Sequence, residues 1–188
     1  MARAESAAYS EWPIRPLPDP TEARLTDVVA GLVSIVEHEG PMTVQRACQV
    51  FVKASGGQRV GKNYRTALHR ALHRAERDGY LVTRDELHVR DFDEWIVRLT
   101  GAPVAIVRRR GPREFSEIPA SELAALMQEL SAKEPALTGI ELYREVLGFY
   151  ETRRMTENIA KTLQHVDNNR HVLLFGAAPG PDNTPAKS

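Results

Sequence analysis

From Thr21 onward the apolar residues fall three and four positions apart: Leu25, Val28, Val29, Leu32, Ile35 and Val36. That spacing places them on one side of a helix and predicts an amphipathic segment with one buried face. Thr21 is expected to cap its start, and Glu39-Gly40-Pro41 to end it. A second helix follows, capped by Thr43, with Ala47, Val50, Phe51 and Ala54 inward and Gly56-Gly57 as its stop. A third begins near Gly61 to Asn63, turns Tyr64, Leu68, Ala71, Leu72 and Ala75 inward, and ends at Gly79. The period then shortens. Tyr80 to Thr83 and Leu87 to Arg90 are β-prone runs flanking Arg84-Asp85-Glu86, the pattern of a hairpin.

Three helices followed by a hairpin is the order of a winged helix-turn-helix, in which the third helix usually enters the DNA major groove. A shift of 95 positions then overlays a second stretch on the first. Thr138 falls on Thr43, Arg154 on Arg59, Asn158 on Asn63 and Leu163 on Leu68. The apolar faces follow, with Leu123 on Val28, Met127 on Leu32, Val146 on Phe51 and Ile159 on Tyr64. The expected fold is mainly α with small β-hairpins, an α+β chain of two tandem winged helix-turn-helix-like domains. The segments are a proline-rich extended arm at 1–20, pinned by Trp12 and Ile14, and a first domain at 21–90. A basic connection at 91–111 follows, with Ala102 to Arg110 as a strand. A second domain spans 112–175, its wing reduced to Arg170-His171-Val172-Leu173-Leu174-Phe175, and 176–188 is a tail without apolar periodicity.

Composition narrows the class. The 188 residues hold 42% hydrophobic and 27% charged side chains, the balance of a globular chain and not of a disordered one. No run approaches the roughly 20 apolar residues of a membrane span, and the N-terminus lacks a signal-peptide core. A single cysteine, Cys48, excludes an internal disulfide and fits a reducing, cytoplasmic setting. The formal net charge is zero, so binding by bulk electrostatics is excluded while a local basic patch is not.

Such a patch lies on the third helix. Outside its buried stripe stand Lys62, Arg65, Thr66, His69, Arg70, His73, Arg74 and Arg77, with Glu76 and Asp78 as the only acids near its end. Clustering of one charge sign in a neutral chain points to double-stranded DNA. Arg59, Lys62, Asn63 and the backbone N–H groups at the helix start suit a phosphate. Arg65, His69 and Arg70 are the candidates for base edges. Arg108, Arg109, Arg110 and Arg113 are expected to follow the backbone or to solubilise a strand end. Arg153, Arg154, Asn158 and Lys161 correspond in the second copy, which Glu157 and Asp167 weaken; it is either a lesser DNA contact or a packing or partner surface.

The same residues suggest other chemistries. Gly56-x-x-x-x-Gly61-Lys62 resembles a phosphate-binding loop, but Asn63 replaces the hydroxyl and a helix, not a strand, precedes it. A turn between helices with a glycine C-cap explains the glycines. His69 and His73 have the spacing of a zinc pair, but no third ligand is near in sequence and arginines flank them. Cys48 sits at a core position. No catalytic set, cofactor or metal is expected, and Asp91 to Trp95 reads as a helix start.

The phrase running from Ile35 to Leu72 resembles the helical domain of unknown function at the C-terminal end of large bacterial superfamily I DNA helicases with an endonuclease-like domain. The shared phrases are Val36 to Pro41 and then Gly56, Arg59 and Gly61. Glu117 to Met127 and Glu141 to Ile159 are similar to the segment that follows, keeping Leu147-Gly148-Phe149, Arg153 and Arg154 but having Thr156 near the family's glycine. The resemblance covers most of residues 21–166 and implies a winged-helix-like, DNA-associated module. It implies partnership with a helicase or nuclease, or alternatively a protein-assembly role. It carries over no catalytic residue.

Overall fold

The computed structural model describes residues 7–176; residues 1–6 of the arm and 177–188 of the tail lie outside the described residues. Among the described residues the chain is α+β, with seven α-helices and one three-stranded antiparallel sheet. In chain order these are α1 (Leu25–Glu39), β1 (Met42–Thr43), α2 (Val44–Ala54), α3 (Lys62–Arg77), β2 (Leu81–Arg84), β3 (Ile96–Leu99), α4 (Ala120–Lys133), α5 (Gly139–Phe149), α6 (Glu157–Asn168) and α7 (Arg170–Phe175).

The apolar stripes do what their spacing requires. Val28, Leu32, Ile35 and Val36 of α1 pack with Ala47, Phe51 and Val52 of α2 and with Leu68, Ala71, Leu72 and Ala75 of α3. Gly31 lets α1 come close to α2, since a Cβ there would meet Phe51 Cε2 at 2.7 Å. Thr43 caps α2 by accepting a hydrogen bond from the Arg46 N–H. Gly56, at φ +83°, then turns the chain through a left-handed conformation that disfavours other residues. Arg24, not Thr21, occupies the N-cap of α1, because Thr21 is committed to an earlier turn in which its N–H and hydroxyl both donate to Asp19 Oδ1.

The strands depart further from expectation. β2 pairs with β3, in the register Leu81 to Leu99 and Arg84 to Ile96, and not with residues 87–90. β1 lies on the other side of β3, with Thr43 opposite Ile96. The stretch that was to form the returning strand leaves the sheet because its side chains are held elsewhere: Leu87 packs in a second core, and the buried Glu86 carboxylate accepts the Ser121 N–H at the start of α4. The first unit therefore runs past residue 90 to Leu99. Ala102 to Arg110 forms no strand, only one isolated bridge between Ala7 and Arg108, since Val107 turns to the second core and Arg108 back to the first unit. Asp91 begins a 3-10 turn, Phe92 to Glu94, not an α-helix.

The second core gathers α4, α5, α6 and α7 around Leu123, Leu126, Met127, Leu142, Val146 and Leu163. Helices α4, α5 and α6 start at Ala120, Gly139 and Glu157, each 95 residues after the starts of α1, α2 and α3. The repeated unit is a three-helix core. It has no sheet: residues 170–175 are helical, with Leu173 buried, where a wing was expected. A lone strand there would have no neighbour for its backbone, whereas a helix satisfies its own. Within the arm Trp12 is buried and its indole N–H donates to Ser34, while Ile14 is 57% exposed and pins nothing.

Arg108 joins the two units, and Arg113 braces the carboxylate it binds. The Arg108 guanidinium donates to the carbonyls of Glu39 (2.6 Å) and Pro41 (2.8 Å) and to Glu122 Oε2 (3.0 Å). Arg113, 1% exposed, adds a bidentate pair to Glu122 at 2.8 and 2.9 Å. Tyr9 of the arm lies under the guanidinium groups of Arg46, Arg108 and Arg113 and donates its hydroxyl to Glu39. Burial foremost, then that bond to Glu39, pushes the Tyr9 phenol upward.

Candidate nucleic-acid interface

Helix α3 separates its residues as an amphipathic sequence must. Leu68, Ala71, Leu72 and Ala75 are buried, and Lys62, Asn63, Thr66, Arg70, His73, Arg74 and Arg77 are exposed. Lys62, Thr66, Arg70, His73 and Arg77 succeed one another at four- and three-residue steps, so they form one ridge along the helix. Among the described residues Lys62, Arg70 and Arg77 have no ion-pair partner, and the same holds for Arg59 in the preceding turn. Their donors are free for an anion outside the chain.

The neighbouring row is different. Asp93, 7% exposed, accepts from Arg65 at 2.9 Å and faces His69 Nε2 at 2.7 Å. Phe92 stacks on the His73 ring at a centroid distance of 4.6 Å and meets His69 edge-on at 4.9 Å. The 3-10 turn thus covers the middle of this flank, and the two imidazoles, although spaced like a zinc pair, are held by a carboxylate and an aromatic ring. Arg74 bonds Asp78 at 2.6 Å. Arg65 and His69, expected at base edges, are engaged within the chain. No spacing rule linked residue 93 to α3; only the unexpected pairing of β3 brings it there.

At the start of α3 the chain is fed by α2, and Gly61 is the N-cap with no side-chain bond. A shallow depression here is lined by Arg59, Gly61, Lys62, Asn63, Tyr64, Asp19 and Thr21. The Tyr64 hydroxyl donates to Asp19 Oδ2, which ties the arm to this end of the helix. The geometry of a phosphate-binding loop between strand and helix is not present at Gly56 to Lys62.

Four expected contacts lie elsewhere. Arg108 and Arg113 are buried in the junction around Glu122 and withdrawn from any surface. Arg109 is half-buried, over the Phe149 ring at 4.9 Å and donating to the Phe149 carbonyl, and Arg110 is half-buried beside it. In the second unit Arg153, Arg154 and Asn158 are exposed before and within α6, but Lys161 pairs with Glu157 at 2.6 Å. Cys48 is buried, and burial raises its thiol to about 12, far from a nucleophile's range.

Among the described residues no helix is long and apolar enough to cross a membrane, and no three metal-ligating side chains gather. Comparison with protein-family models, curated proteins and solved structures finds no match.

Proposed function

We propose that this chain is a non-enzymatic duplex DNA-binding protein whose first unit acts as a winged helix-turn-helix, with α3 as the recognition helix. The observation that carries the reading is the exposed ridge Lys62, Thr66, Arg70 and Arg77, whose three cations have no partner among the described residues. The order α1, β1, α2, α3, β2, β3 supports it, being the order of a winged helix with one strand between its first two helices. In this reading Arg59, Lys62 and Asn63 grip a phosphate at the start of α3 and Arg70 and Thr66 face the groove. Arg77 meets the backbone at the far end. Arg153, Arg154 and Asn158 of the second unit offer a lesser contact.

A second reading has a specific observation behind it. Asp93 and Phe92 already occupy one flank of α3, as a surface built to meet protein would allow, and the net charge is zero. The unit is then an assembly module for a helicase or nuclease system. Fluorescence anisotropy with random duplex, single-stranded DNA and RNA of equal length separates them. DNA binding predicts duplex preferred over both other ligands at low salt. No binding to any of the three sinks it in favour of assembly.

A further inference from the structure

Beside the ridge, between α2 and the start of α3, lies a cleft of about 460 Å³, within the range of small-molecule sites. Its position is set by the turn Gly57 to Val60 folding over one face of α2. The side chains of Gln45, Gln49 and Lys53 succeed one another at four-residue steps along that face, and Gln58 and Arg59 come from the turn. Among the described residues none of these five side chains has a hydrogen-bond or ion-pair partner inside the chain. Val60 gives the floor an apolar surface, backed by the buried Val52 and Cys48. The far wall is the Arg65 to Asp93 pair, in which the carboxylate is already neutralised.

The geometry points to a binding site for a nucleoside monophosphate moiety, with the base against the floor and the phosphate on Arg59 and Lys53. Three kinds of wall have to be matched at once. The glutamine amides each offer a donor and an acceptor, as the edge of a heteroaromatic base does. Val60, backed by the buried Val52, accepts the face of a planar ring and gives little to a small hydrated ion. The two cations require an anionic end, and a guanidinium is the group best shaped for phosphate oxygens. A bare anion leaves floor and amides unused, and an apolar ligand leaves the amides without partners. The moiety can come from a free nucleotide or from a nucleotide within a strand, since both present the same base and phosphate.

The site shares no residue with the α3 ridge; of the other residues placed toward duplex it holds Arg59, and Arg65, which is paired with Asp93. The test is an NMR titration of the full chain, following the methyl resonances of Val52 and Val60. The ligands are the individual nucleoside monophosphates, a short single-stranded oligonucleotide and inorganic phosphate. Saturating shifts with a nucleoside monophosphate are expected, or with the oligonucleotide alone if the strand is the source. Arg59→Ala and Gln49→Ala, both at exposed positions, are each expected to weaken that affinity by roughly tenfold or more. Lys62→Ala with Arg70→Ala is expected to leave the titration unchanged, which separates this site from the fate of the duplex reading. Absence of saturation with nucleotide and oligonucleotide alike overturns the inference. So do equal shifts with inorganic phosphate, or full affinity in both cleft variants.

Discussion

Asp93 holds two side chains of α3, Arg65 and His69, and so competes with any phosphate that approaches that flank. Asp93→Asn keeps an acceptor for Arg65 but removes the charge. Under DNA binding the variant gains affinity for duplex, and its salt dependence steepens by about one unit of slope as Arg65 becomes available. An anisotropy titration in which affinity and slope both stay at the wild-type values counts against Arg65 as a latent contact. Glu86 provides a second test, on stability. Its carboxyl is raised above the usual range, first by burial, against the opposing bond from the Ser121 N–H. A carboxylate raised in the folded state leaves the folded chain binding more protons than the unfolded one. Its contribution is therefore present below the unfolded value and lost as pH rises through the folded one. Glu86→Gln, which keeps an acceptor, is expected to be more stable than the parent at neutral pH, with the difference shrinking as pH falls through the carboxylate range. Denaturant melts at several pH values read this directly. The exposed ridge cations were legible because helical spacing alone decides which side they occupy. Arg108 was not, because an arginine's fate depends on whether a buried carboxylate such as Glu122 comes near it in space.

The elements divide along the same line. α1, α2 and α3 follow local periodicity and their ends follow glycine and cap chemistry, so their positions could be read within a few residues. The sheet could not: β2 has two candidate partners in sequence, and the choice of β3 is made by burial of Ile96 and Val97 and by the diversion of Glu86 and Leu87 toward the second unit. Segment 170–175 is apolar enough for either state and becomes helix because nothing stands beside it to pair with. The closeness of α1 and α2 makes a sharper prediction. Gly31→Val drives a side chain into Phe51 and into Leu17 of the arm, whose carbons would lie 2.7 and 3.2 Å from the new Cβ. Overpacking of this kind costs roughly 1–3 kcal/mol, visible as a lower urea midpoint with little change in slope. A midpoint at or above that of the parent would mean that the two helices are not packed this closely.

For the whole molecule, the 95-residue register gives two three-helix cores, and Glu122 is one of the groups through which they meet, beside the Glu86 bond to Ser121 and the Arg84 bonds to the carbonyls of Val172 and Leu173. Its two oxygens serve Arg108 and Arg113, and it is 1% exposed. The hydroxyl of Tyr150 points to the same carboxylate, and burial first, then the Glu122 charge, keeps that phenol protonated well beyond its ordinary range. Glu122→Ala strands two guanidinium groups in the interior and is expected to destabilise by about 3–5 kcal/mol in a denaturant melt, while Glu129→Ala, on the exposed face of the same helix, leaves stability nearly unchanged. The resulting picture is of a neutral chain that turns Arg46, Arg108 and Arg113 inward as joints and lines up Lys62, Arg70 and Arg77 outward along one helix. That ridge is the centre of the functional proposal. The direct test is the dependence of duplex affinity on salt for the parent chain and for Lys62→Ala, Arg70→Ala, Arg77→Ala combined. The prediction is a linear fall of log affinity with log salt in the parent, and a slope reduced by about three in the triple variant. The same slope in both proteins, or no duplex binding by the parent at low salt, would contradict it.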